Sequence, residues 1–142
     1  MKNIDLLKKL NLSTFVAIDF ETTGLDPYHD RIIEIAAIRF ENGEISDRFV
    51  SLINPQRNIP EKITEITGIS NSMVSTSPKE ESVIDDLLKF LEDKPIVGHN
   101  IHFDRSFLVQ FCNRYERLTP DFVIYDTLQL ARSILFDQPV FN

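Results

Sequence analysis

An α/β fold, with a mixed sheet of antiparallel meander and parallel strands flanked by helices, is what this sequence predicts. Three observations carry that expectation. Apolar runs of strand length crowd the first third of the chain. Asn42-Gly43 supplies a tight hairpin turn between two of them, because both residues tolerate positive φ. Beyond Asn54-Pro55 the apolar period lengthens to that of helices, which then alternate with short strands.

Taken in order, residues 1–12 set Ile4, Leu7 and Leu10 among Lys2, Asp5, Lys8 and Lys9. That pattern reads as a short helical extension; it lacks the continuous apolar stretch and cleavage site of a secretion signal. The domain proper is expected over residues 13–142, with no repeat and no interdomain linker. Residues 15–20 are apolar and partly β-branched, a buried strand. Residues 24–30 are turn-rich, with Asp26-Pro27 as a breaker. Residues 31–40 and 45–53 form the second and third strands on either side of the Asn42-Gly43 turn. Residues 60–67 read as a short helix with Ile63 and Ile66 inward and Gly68 as its stop. Ser77-Pro78-Lys79-Glu80 has the form of a capping box with Pro at the first helical position. Val83, Ile84, Leu87, Leu88 and Leu91 then make one apolar helical face. A short strand at residues 95–98, a helix at 101–115 and a strand at 122–125 follow. Asp126 or Thr127 opens a last helix reaching Phe136.

The 142 residues, 42% hydrophobic and 26% charged, suit one ordinary soluble domain. A net charge of -7 argues against a broad basic surface wrapping nucleic acid. A compact grip on a few nucleotides stays open, because bound cations reverse the local sign. The single cysteine, Cys112, cannot form an internal disulfide, which fits a reducing compartment. It falls on an apolar stripe and is expected to pack in the core. No apolar run reaches membrane-spanning length, so a cytoplasmic protein is expected.

The most informative stretch is Asp19-Phe20-Glu21-Thr22-Thr23-Gly24, directly after the first apolar run. Side chains alternate along a strand, so Asp19 and Glu21 share a face, with Cα atoms roughly 6.5 to 7 Å apart. Two like charges side by side call for compensation. Mg²⁺ or Mn²⁺, which take hard oxygen ligands, would provide it; a solvated strand end is the plain alternative. A third acid joins them. In the helix after Gly98-His99-Asn100 the apolar stripe is Phe107, Leu108, Phe111, Cys112 and Tyr115, and Asp104 lies four residues before Leu108 on that inward face. An inward carboxylate in a first turn is costly unless it is paired or beside a cation. Asn100 stands at the N-cap position, and capping of free backbone amides is the other reading of Asp104.

Asp19-Phe20-Glu21-Thr22-Thr23-Gly24-Leu25 resembles the first motif of the DEDD superfamily of 3′-5′ exonucleases, and Gly98-His99-Asn100-Ile101-His102-Phe103-Asp104 resembles the second. Ile32-Ile33-Glu34-Ile35-Ala36, Ile53-Asn54-Pro55, Thr67-Gly68-Ile69, Asp126-Thr127-Leu128 and Ala131-Arg132 are also similar to bacterial proofreading exonucleases. The likeness runs from Phe15 onward in unbroken order and is nearest to the epsilon-subunit type of DNA polymerase III. It implies a ribonuclease H-like fold and two-metal hydrolysis of phosphodiester bonds from 3′ ends, with two Mg²⁺ or Mn²⁺ ions. By motif, Asp19 would bridge both cations, Glu21 would bind the nucleophile-side one and Asp104 the second. Backbone groups around Thr22 and Thr23 would hold the terminal hydroxyl, Leu25 would wedge against the last base, and Phe103 would stack on a base. For Phe103 core packing is the alternative. His99 and Asn100 follow the motif, although His99 also suits a structural, hydrogen-bonded role. His102 and His29 read as surface residues, and Glu34 carries no assigned chemistry.

The resemblance implies a single-stranded or frayed DNA 3′ end as substrate, with a DNA polymerase or a fused helicase or polymerase module as partner. The family's third motif, an Asp with a His five residues before it, has no match. No His follows His102, and neither Asp126 nor Asp137 has the required context. The expectation is therefore an incomplete domain lacking its C-terminal helices, with weak or absent hydrolysis. RNA trimming of the oligoribonuclease or RNase T type and a non-catalytic adaptor bound to a polymerase or helicase are the rival readings.

Overall fold

The structure, a computed structural model, describes residues 12–127. The extension at residues 1–11 and the final helix from residue 128 onward lie outside the described residues. A five-stranded sheet organises the chain in the order β3-β2-β1-β4-β5. Its strands are β1 (Thr14–Thr22), β2 (Ile32–Glu41), β3 (Glu44–Leu52), β4 (Ile96–Gly98) and β5 (Ile124–Asp126). β1, β2 and β3 form the antiparallel meander, while β4 and β5 add parallel to β1. The expected mixed sheet is thus present. Asn42 and Gly43 take positive φ at the β2–β3 turn, as that connection requires.

Four helices accompany the sheet among the described residues: α1 (Glu61–Thr67), α2 (Asn71–Val74), α3 (Glu80–Leu91) and α4 (Ile101–Arg114). Val16, Ile18 and Phe20 of β1 alternate inward with period two. They meet Val83, Ile84, Leu87 and Leu91 of α3 and Phe107, Leu108, Phe111 and Cys112 of α4 in one buried cluster. Cys112 is a free, buried core residue. A smaller cluster gathers Ile33, Ile59, Ile69 and Val74. No helix among the described residues is long and apolar enough to cross a membrane.

Three local expectations are corrected. Ile66 of α1 faces solvent, because a helix of two turns buries only one narrow stripe and Ile63 occupies it. Gly68 does stop that helix, in left-handed geometry, with its N–H on Thr64 O. The capping box at Ser77 does not form. Ser77 Oγ instead donates to Met73 O, and α3 starts at Glu80 with no side-chain cap. Glu80 is unavailable for capping: it is buried, and Arg114 of α4 donates to it from both Nε and a terminal nitrogen, at 3.0 and 2.9 Å. α2 was not expected from the sequence; Ser70 caps its four residues by accepting from Met73 N–H.

Candidate active site

The parallel strands β1, β4 and β5 end at one edge of the sheet, and that edge gathers the predicted residues. Carboxyl ends of strands are where open α/β sheets usually present their sites. β4 pairs with β1 only as far as Ala17, so Phe20, paired with Ile35 of β2 on one side, has no strand on its β4 side. The first turn of α4 fills that place. Asp104 Oδ1 accepts the Phe20 N–H at 2.9 Å. Gly98 lets the helix approach this closely: a Cβ there would lie 2.9 Å from Ile18 O and 2.8 Å from Ile101 Cδ1.

Asp104 therefore reaches β1 at the residue between Asp19 and Glu21. It is 3% exposed, whereas Asp19 is exposed and Glu21 half-buried. Burial drives the Asp104 carboxyl up to about 7, with the charges of Asp19 and Glu21 adding to the effect and the Phe20 N–H opposing it. Glu21 is also raised, first by burial, then by Asp19 and Glu34. Among the described residues none of these acids has an ion-pair partner. Nor do any three carboxylate, imidazole or thiol groups there come close enough to cage an ion alone. What remains is an open, all-oxygen donor set under mutual repulsion. Such a set fits a hard divalent cation that keeps waters and takes further oxygens from a phosphate.

Glu34 is the residue that sequence reasoning left without chemistry. It stands directly opposite Glu21 across the β1–β2 ladder. Like charges in that position are destabilising. The register then slips, pairing Thr22 with Ile32, so Ile33 is the extra residue of a β-bulge and turns to the smaller cluster. Only that register, which the residues between β1 and β2 do not announce, could have revealed the pair.

The other predicted residues fall around this edge. Thr22 and Thr23 are buried, and their hydroxyls build the turn: Thr22 Oγ1 donates to Gly24 O at 2.6 Å and Thr23 Oγ1 to Asp30 Oδ1 at 2.9 Å. Thr23 N–H is bonded to Arg31 O at 2.8 Å. Leu25 is 84% exposed at the turn's tip. Phe103 is half-buried against Phe107, ring centroids 4.9 Å apart, so one side of it belongs to the core. His99 is exposed, with Nδ1 3.5 Å from Thr127 Oγ1. Asn100 holds the N-cap position of α4 in left-handed geometry but makes no side-chain cap. That expectation is corrected by Asp126 at the end of β5, whose Oδ2 accepts the Ile101 N–H at 3.2 Å.

With this geometry in view, comparison with known proteins is decisive: the Exonuclease family matches residues 16–139. The chain belongs to the Exonuclease family. Exonuclease relatives include the PolC-type DNA polymerase III of Thermotoga maritima, 46% identical over 87% of this chain and 9% of its own length. The 3′-5′ exonuclease DinG of Bacillus subtilis is 41% identical over 88% of this chain and 14% of its own. The DNA polymerase III epsilon subunit of Aquifex aeolicus is 35% identical over 94% of this chain and 66% of its own. The chain thus spans about a tenth of the PolC-type relative it matches. Among solved structures, Escherichia coli exonuclease I in complex with a dA16 oligonucleotide superposes with a TM-score of 0.72 at 24% identity, over 85% of this chain and 29% of that one. That likeness shows the fold, and members of the Exonuclease family generally depend on divalent metal ions.

Proposed function

We propose that this domain supplies Asp19, Glu21 and Asp104 to a 3′-5′ exonuclease site that holds two Mg²⁺ or Mn²⁺ ions and, in the natural polypeptide, removes nucleotides one at a time from the 3′ end of single-stranded or frayed DNA. The observation that carries the reading is Asp104. A buried carboxylate from α4 is anchored on the β1 backbone between two further acids, and no cationic side chain among the described residues offsets them. Charge so arranged is costly without a ligand of opposite sign. The chemistry such ions supply when bound is a hydroxide generated near neutral pH and neutralisation of charge on the leaving oxygen.

The chain's own residues define the rest. The bond from Phe20 N–H fixes the Asp104 carboxylate, and the β1 ladder fixes Asp19 and Glu21 on one face, so the donors are preorganised. The turn at Thr22 and Thr23 sets the position of a terminal sugar, and Leu25 at its tip meets the last base. Phe103 offers its open side to a base; His99 and Asn100 line the edge beside it. The PolC-type, epsilon and DinG relatives support a DNA substrate and a place beside a polymerase or helicase module in the whole protein.

The test uses the natural polypeptide that carries this domain, with paired 3′-labelled single-stranded DNA and RNA in Mg²⁺. Stepwise mononucleotide release from DNA, lost in Asp19→Ala, is the expected result. Faster release from RNA would replace the DNA reading with an RNA-trimming one. Trimming that survives Asp19→Ala would overturn the assignment of the acids, and no trimming of either strand would favour the adaptor reading.

A further inference from the structure

The exposed turn between β1 and β2 is held by more bonds than a surface loop needs. Asp30 accepts the Thr23 hydroxyl and, at 3.0 Å, the Asp26 N–H; Asp26 accepts the Tyr28 N–H at 2.9 Å and pairs with His29. The Arg31 guanidinium donates to the carbonyls of Tyr28, His29 and Asp30, and Arg57 donates to that of His29. Ordering a turn this way costs chain entropy. What it presents to solvent is two large side chains, Leu25 and Tyr28, the latter 68% exposed. Among the described residues the Tyr28 ring and hydroxyl have no partner, and Arg57 has no carboxylate. Arg57 lies near enough to Arg31 for the two charges to repel. Arg57, a guanidinium with no carboxylate partner, is thus bonded to the carbonyl of the residue that follows the open Tyr28 ring, in a chain of net charge -7. This placement joins the two chemistries that bind a nucleic-acid strand without reading its sequence, a stacking platform and a phosphate clamp.

We propose that Tyr28 and Arg57 form a strand-entry subsite: Tyr28 stacks on a base and Arg57 holds an adjoining phosphate of single-stranded DNA, upstream of the 3′ end at Asp19 and Glu21. The subsite rests on the nuclease reading, since the turn that carries Tyr28 follows β1, which ends at Thr22, one residue past Glu21. Rigidity of the turn lowers the ordering cost of binding.

Fluorescence anisotropy of the intact chain with a labelled oligothymidylate of roughly 12 nucleotides, within the usual site size, tests it. Tyr28→Ala should weaken binding about tenfold, while Tyr28→Phe and Tyr28→Trp retain it, because stacking needs the ring and not the hydroxyl. Arg57→Gln should weaken binding and lower the slope of log K against log salt by about 0.7, the value for one single-strand phosphate contact. Circular dichroism confirms that each variant is folded. Equal losses in Tyr28→Phe and Tyr28→Ala, affinity of Tyr28→Ala within about twofold of wild type, or an unchanged salt slope in Arg57→Gln would overturn the subsite and leave the nuclease reading standing. A wild-type chain that binds no oligonucleotide would overturn both.

Discussion

Replacing Asp104 by Asn tests how the fold tolerates its buried acid. Asp104 is raised from 3.8 to about 7 in the folded chain. Below the ordinary carboxyl range both folded and unfolded forms are protonated, and the group contributes no pH dependence. Between about 4 and 7 the unfolded chain ionises while the folded one keeps its proton, so the folded state binds more protons and stability falls as pH rises. Above about 7 the penalty is complete. Its size is on the order of 4 kcal/mol, at about 1.4 kcal/mol per pH unit between the two values. Asn keeps an Oδ1 to accept the Phe20 N–H, now at 2.9 Å, but cannot ionise. Urea unfolding of chelator-treated protein from pH 5 to 8 should therefore show Asp104→Asn gaining on wild type by about 3 kcal/mol between pH 5 and about 7 and no further above it, the rest of the difference being present already at pH 5. Asp104→Ala, which also strands the Phe20 N–H, should fall below the Asn variant at every pH by about 1–3 kcal/mol. Added Mg²⁺ should recover stability in wild type and much less in either variant. Parallel pH profiles for wild type and Asp104→Asn would refute the reasoning, because the acid would then be equally ionised in both states.

Three further outcomes follow from the packing. Glu80→Ala removes the bidentate partner of Arg114 and leaves a half-buried guanidinium beside Arg31, so the urea midpoint should drop by the equivalent of about 3 kcal/mol at constant m. Gly98→Ala puts a Cβ 2.9 Å from Ile18 O; it should cost about 1–3 kcal/mol in thermal or urea unfolding and move Asp104 away from β1, weakening Mn²⁺ binding measured by calorimetry. Gly24→Ala would set its Cβ 2.8 Å or less from the Asp30 carboxylate, whose oxygens hold Thr23 and Asp26. Oligonucleotide affinity should fall in that variant while the unfolding midpoint moves little, since the turn lies outside the core.

Much of the frame was legible because it depends on period and turn chemistry. Asn42-Gly43 announced the β2–β3 hairpin, and the stripes Val83–Leu91 and Phe107–Cys112 announced α3 and α4, since apolar spacing decides which face a local element buries. Caps read less well. Ser77 and Asn100 have cap-forming side chains, yet Met73 O takes the Ser77 hydroxyl and Asp126 takes the role expected of Asn100. A cap is a competition among partners, and the winners here lie on other turns and other strands.

By itself the sequence determined that Asp19 and Glu21 share a face, through the two-residue period of a strand, and that Asp104 points inward, through the stripe it shares with Leu108. Both are properties of local geometry and travel with the chain. Only the tertiary structure decided that Asp104 bonds a backbone amide 84 positions earlier, that a bulge sets Glu34 against Glu21, and that Glu80 turns from capping to a buried pair with Arg114. These depend on register and on where β4 ends, which are settled when distant segments pack together and the lowest-cost arrangement of the buried charges is found.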